Sequence, residues 1–144
     1  MEPDFDYNTV PNNYIHCFHT ECPHAAKCLR YQVALFVPPE QHIITIVSPL
    51  FKVPAGQECR YFRLDEMKNF ALGMKQMLNE LPYNESVIIK QQMIAYFKRT
   101  TFYRCQKQER LIKPEEQEYI RQIFLSRGIT EPPAFDSYIR QYDW

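Results

Sequence analysis

Apolar side chains recur along the chain in short bursts separated by prolines, and the spacing inside each burst predicts its structure. Residues 1–13 show no period and read as an irregular arm. Pro23 suits the first position of a helix, where a missing N–H costs nothing, and Ala25, Leu29, Val33 and Phe36 then share a face until Pro38-Pro39 ends the run. His42 to Val47 is a β-branched stretch bounded by prolines, which predicts a buried strand. A loop containing Pro54 and Gly56 leads to Cys59.

The closest fit to a helical period follows Asp65, a good N-cap. Met67, Phe70, Ala71, Met74, Met77, Leu78 and Leu81 recur at three and four residues, so a helix is predicted from Asp65 to Leu81. Pro82 breaks it. Asn84 or Ser86 can cap the next helix, whose stripe is Ile89, Met93 and Phe97 and which runs to about Arg99. Thr100 to Cys105 has strand character, and Arg110 to Ile112 can return across the polar turn Gln106 to Glu109 as a hairpin. Pro114 opens a further helix with Glu115 and Glu116 in its first turn, Tyr119, Ile120, Ile123 and Phe124 facing inward, and Gly128 placed to end it. After Pro132-Pro133, the spacing of Phe135, Tyr138, Ile139 and Tyr142 predicts a last helix. The expected class is α+β, predominantly helical. A single domain is expected, in which a cysteine-rich segment, residues 1–63, precedes a helical body, residues 64–144, with a short strand or hairpin element.

The 144 residues suffice for a core without disulfides, since a domain of this size buries roughly 68–70% of its unfolded surface. No apolar run approaches the roughly 18 residues of a membrane helix. The acidic start, Met1 to Tyr7, does not read as a secretory signal, so a cytoplasmic, reducing address is expected. With three dispersed glycines, at Gly56, Gly73 and Gly128, the chain lacks a phosphate-binding loop or dinucleotide fingerprint. No His-Glu-x-x-His helix or Gly-x-Ser-x-Gly elbow is present either. The acids at Glu115 to Glu118 have a sufficient reason in the helix dipole, and the methionines of 67–77 in a core. An enzyme is therefore not the expectation.

The densest chemistry lies between His16 and Cys28, where three cysteines and three of the four histidines fall within thirteen residues; Cys59 supplies a fourth thiol. Zinc takes four nitrogen or sulfur ligands in a tetrahedron, and Cys17, Cys22, Cys28 and Cys59 match that need in type. Spacing is looser than in a zinc knuckle. A helix begun at Pro23 puts His24 and Cys28 on one face, so three cysteines with His24 form the competing ligand set. An iron–sulfur cluster ranks below zinc because the spacing matches no standard run. Two further readings stand beside the metal: small apolar cysteines in a core, and a reactive Cys22 activated by a helix amino terminus.

Several of these residues carry a resemblance. Asn13-Tyr14, Cys17, Cys22-Pro23, Ala25 and Cys28-Leu29-Arg30 form a Cys-x4-Cys-Pro-x4-Cys motif with its flanks. Cys59 with Tyr61-Phe62-Arg63, then Glu109-Arg110 ahead of Pro114-Glu115-Glu116-Gln117, and finally Phe135-Asp136-Ser137-Tyr138 with Tyr142-Asp143-Trp144 extend it over nearly the whole chain. The sequence resembles an uncharacterised bacterial domain-of-unknown-function family met chiefly in gut anaerobes. The resemblance implies a single-domain protein in which Cys17, Cys22, Cys28 and Cys59 belong together and Cys105 stands apart. It implies no activity.

Charge adds a second candidate. The totals cancel, 17 basic against 17 acidic, but residues 1–84 sum to −2, residues 85–113 to +5 and residues 114–144 to −3. Lys90, Lys98, Arg99, Arg104, Lys107, Arg110 and Lys113 interleave with Tyr96, Phe97, Phe102 and Tyr103, a combination suited to phosphates and bases. Two predicted helices and a hairpin in this order resemble a helix-turn-helix with a wing. Against it stands the largely apolar second helix, which burial would keep from a groove. The expected function is a non-enzymatic, metal-stapled interaction or adaptor module for an unidentified protein partner. A nucleic-acid-binding regulator stands second, and a thiol-dependent redox protein third.

Overall fold

In a computed structural model, which describes residues 1–144, helices make up 37% and strands 13% of the chain, so the class is α+β and helices outweigh strands without dominating. The chain groups into two compact units, Met1–Met67 with Tyr142–Trp144, and Lys68–Gln141. No helix is long and apolar enough to cross a membrane.

The first unit is built from short pieces. Strands β1 (Ile15–His16) and β2 (Thr45–Ile46) pair in parallel, Ile15 opposite Thr45 and His16 opposite Ile46. The strand predicted over 42–47 thus shrinks to two residues, both exposed, and Val47 alone of that run is buried. The helix predicted from Pro23 also breaks. A 3-10 turn, Ala25–Lys27, is followed by extended Cys28 (φ −95°, ψ 115°), and only then does α1 (Leu29–Ala34) begin. The interruption has a cause in pairing, because Cys28 bridges Leu64, the Leu29 N–H donates to the Arg63 carbonyl (2.7 Å) and the Asp65 N–H to that of Lys27 (2.9 Å). The amino-terminal arm is not loose. Phe5 packs edge-on against Phe36 and Tyr142, the Met1 ammonium pairs with the Asp65 carboxylate, and Tyr14, Leu29, Val33 and Tyr142 form the buried cluster of this unit.

The second unit has a continuous core. Strand β3 (Met67–Leu72) pairs with β4 (Ser137–Tyr142), and helices α2 (Lys75–Asn79), α3 (Tyr83–Phe97), α4 (Arg99–Gln106) and α5 (Pro114–Ser126) pack around Met74, Met77, Ile89, Met93, Phe102 and Ile120. The two helices bounded by proline, α3 and α5, match their sequence periods except at Tyr119, which was predicted to face inward and instead is exposed, stacked on the exposed Tyr96 ring.

The helix predicted over 65–81 is instead β3 and the five-residue α2. Gly73 divides them: its φ is +77°, and any larger residue there would drive its Cβ into the Asp136 carboxylate. The Asp136 carboxylate fills that space and accepts from the N–H groups of Lys75 (3.2 Å) and Gln76 (2.9 Å), capping α2. The predicted hairpin over 100–112 is also absent. Residues 99–106 are helical because Phe102 and Cys105, three apart, bury on one face, while Ile112 bridges Ala71. The predicted last helix is β4, where Tyr138 and Ile139 stay exposed and Tyr142 is buried.

Candidate functional site

Cys17, Cys22, Cys28 and Cys59 all line one cleft of about 480 Å³ in the first unit. None is in a disulfide; Cys28 is buried and the other three are half-buried. Four different local structures deliver them. Cys17 follows β1, Cys22 sits in the turn closed by its own N–H to the His19 carbonyl (3.2 Å), Cys28 precedes α1, and Cys59 begins the turn closed by Phe62 N–H (2.9 Å). Arg30 fixes their mutual position. Its Nε donates to the Tyr61 carbonyl (2.7 Å) and a terminal nitrogen to that of Ile15 (2.8 Å), while its own carbonyl accepts from Cys17 N–H (3.1 Å). One side chain on α1 thereby ties together the segments bearing Cys17 and Cys59. Arg30 is not among the sequence-predicted site residues, and its one signal is the Cys28-Leu29-Arg30 run.

The thiols share a cleft without forming a ready ligand set, since no three His, Cys, Asp or Glu side chains stand together as they would around a metal ion. Burial pushes the Cys17 thiol up, the His19 backbone acts in the opposite direction, and the neighbouring Cys28, Cys22 and Cys59 add to the rise. Such a thiol stays protonated until a metal or base takes its proton.

The His24 alternative loses its geometric basis, because residues 22–28 are not one helix and His24 and Cys28 share no helical face. His24 is exposed, with its ring edge-on to Phe62. His19 lines the cleft, and its Nε2 donates to the Ser48 carbonyl (3.0 Å). His16 is buried elsewhere: Nδ1 faces the Thr45 carbonyl (3.2 Å), which can only accept, so Nε2 is left to accept from the Tyr7 hydroxyl (2.9 Å). Cys105 belongs to the core of the second unit, where burial raises its pKa and an Arg110 hydrogen bond (3.5 Å) opposes the rise.

The chain belongs to a family of unknown function, DUF6078, whose model matches residues 1–144. No curated protein and no solved structure matches it. Several residues that carried the resemblance to a family have structural work in the second unit. Arg110 grips Glu116 with both terminal nitrogens (3.0 and 2.8 Å), and Glu116 also accepts from Lys113 N–H (2.9 Å). Gln117 donates to the carbonyls of Asn69 and Ile112 (2.9 Å each). Asp136 caps α2. These residues are fold devices in this chain, whereas the thiols of Cys17, Cys22, Cys28 and Cys59 line the cleft.

The basic candidates separate as well. Arg110 is committed to Glu116. Lys90 is half-buried with Nζ 5.4 Å from the Tyr103 ring centre, and Arg99 lies 5.7 Å from the same ring. Lys98, Arg104 and Lys107 are exposed. A winged helix-turn-helix is not formed, because its predicted first helix is β3 followed by the five-residue α2, and most of its predicted wing is α4.

Proposed function

We propose that the chain is a non-enzymatic interaction protein whose amino-terminal unit is stapled by a zinc ion held through Cys17, Cys22, Cys28 and Cys59. One observation carries the reading: four unpaired thiols, from four separate local structures, line the same cleft. A unit whose strands are two residues long and whose helix is six has little regular structure to hold it, and a metal staple answers that need. The apparent binding free energy of structural zinc, about 10–16 kcal/mol in zinc-finger peptides, is ample to turn thiols that already share a cleft. An all-sulfur set at about 2.3 Å favours zinc over the hard cations magnesium and calcium. A reducing cytoplasm belongs to the same reading, because it keeps such thiols free.

The test is metal analysis and a visible spectrum of protein purified without added metal. Zinc is expected at one equivalent with no colour, and serine at any of the four cysteines lowers it. Colour with iron and sulfide assigns a cluster instead. Metal-free protein that remains folded in chelator rules out the staple.

A further inference from the structure

The second unit separates its positive charge into two populations. Four cations are neutralised within it: Lys68 by Glu115 (3.6 Å), Arg110 by Glu116 (2.8 Å), Arg121 by Glu118 (2.7 Å) and Arg127 by Glu85 (2.7 Å). Residues 86–108 contain no acid at all and five cations, Lys90, Lys98, Arg99, Arg104 and Lys107. None of these five makes an ion pair. Glu109, the acid that follows, makes none either and meets Arg104 only through the backbone.

Helical geometry puts this unneutralised charge on one surface. With Phe102 and Cys105 turned inward, Arg104 and Lys107 fall on the outward side of α4 together with Thr100, and Arg99 and Tyr103 lie on its flank. Lys90 reaches the same flank from α3, so two like charges rest against one tyrosine ring. Lys98 stands at the junction with φ 67° and ψ 156°, a backbone conformation otherwise kept for glycine. A glycine would adopt it without strain, so what a lysine adds at that point is its side chain.

We infer that this α3–α4 face binds the phosphodiester backbone of a nucleic acid without reading its sequence. The partner follows from charge density and composition. Four cations from Lys98 to Lys107 fall within the roughly 15 Å that ten residues at helical rise span. A duplex offers a charge about every 1.7 Å of its axis and can meet all of them, whereas an extended acidic peptide, whose side chains alternate between two faces, turns one toward a surface only about every 6.6 Å and meets about two or three. A membrane surface is the poorer match because α4 exposes no large apolar side chain to insert. Between Lys98 and Lys107 the exposed positions are Lys98, Arg99, Thr100, Arg104 and Lys107, groups suited to phosphate, and the exposed amides Gln91, Gln92 and Gln108 only flank that stretch. This inference is independent of the zinc staple, whose cysteines all lie in the other unit.

The experiment measures anisotropy of labelled mixed-sequence 20-mers, duplex DNA and single-stranded RNA, with the full chain across a salt series. Binding at about 20 mM salt is expected, with log K falling against log salt at a slope of about −3 to −4 for four phosphates. The variant K98A/R104A/K107A is expected to flatten that slope by about 3 and weaken binding more than tenfold, and K107A alone by about 1 unit of slope. Lys75, an exposed cation at α2, is the control, and Lys75→Ala leaves binding unchanged. These side chains are exposed, so circular dichroism should show the variants folded; K107A keeps the test open if the triple variant is not. Absence of binding at low salt, an unchanged slope in the variants, or equal affinity for phosphatidylserine vesicles or polyglutamate overturns the assignment.

Discussion

The two units solve the same problem, holding a chain in one conformation, by different means. Lys68–Gln141 does it by burial: Met74, Ile89, Met93, Phe102, Cys105, Ile112 and Ile120 are wholly inside. Met1–Met67 with Tyr142–Trp144 has a smaller buried cluster and leaves Ile43 and Leu50 86% and 88% exposed. It compensates with backbone stitching, aromatic edges and, in the proposed function, four sulfur ligands. Under the proposed function, sulfur ligands in one unit take the place that a continuous apolar core holds in the other.

The largest expected effect tests that contrast directly. Chelation of zinc, or Cys59→Ser, is expected to remove amide-exchange protection from the first unit and leave Ile89, Met93 and Phe102 protected. Loss of protection in both units at once breaks the contrast. Next comes Gly73→Ala, which meets the Asp136 carboxylate in a backbone conformation alanine resists; a loss of about 3 kcal/mol in chemical unfolding is expected. Glu116→Ala removes two hydrogen bonds to Arg110 and one to the Lys113 N–H, costing about 2 kcal/mol in the same assay. Lys98→Gly goes the other way. Relief of its backbone is expected to stabilise by about 1 kcal/mol, seen as a higher Tm.

The smallest effect concerns Tyr14, whose buried hydroxyl has no hydrogen-bond partner and whose pKa burial raises from 10.0 to about 12, with Arg30 opposing the rise. A folded pKa above the unfolded one means the neutral phenol is favoured by folding. Its contribution is intact below pH 10 and lost as pH climbs from 10 through 12. Tyr14→Phe is expected to leave neutral-pH stability equal or raised by about 0.5 kcal/mol, and to blunt the alkaline loss in a pH titration of unfolding.

Legibility followed the locality of each cause. Helices α3 and α5 were visible because proline opens them and their apolar stripes run for several turns. The α+β class was visible in the same way, and so was the cluster of Cys17, Cys22 and Cys28, whereas Cys59, far along the chain, joined them only by residue type and through the resemblance. The stretch over 65–81 was misread because Met67, Phe70, Met74 and Met77 fit a helical period by chance, while Gly73 and Asp136 decided the matter. Gln76 and the Asp136 that caps it are 60 residues apart. Residues 99–106 were misread because Thr100-Thr101 favours strand locally and only burial of Phe102 and Cys105 on one side overrides that preference.

By itself the sequence determined the inventory: neutral overall charge with an acid-free basic stretch, and five cysteines with four in one half. Those are counts and spacings, which folding cannot alter. Tertiary structure decided which cations are neutralised and which are not, because an ion pair such as Arg127–Glu85 joins residues that no local pattern connects. It also decided that Cys17, Cys22, Cys28 and Cys59 share a cleft and that Cys105 does not. Side chains from separate segments can act together only where backbone pairing and burial bring those segments side by side.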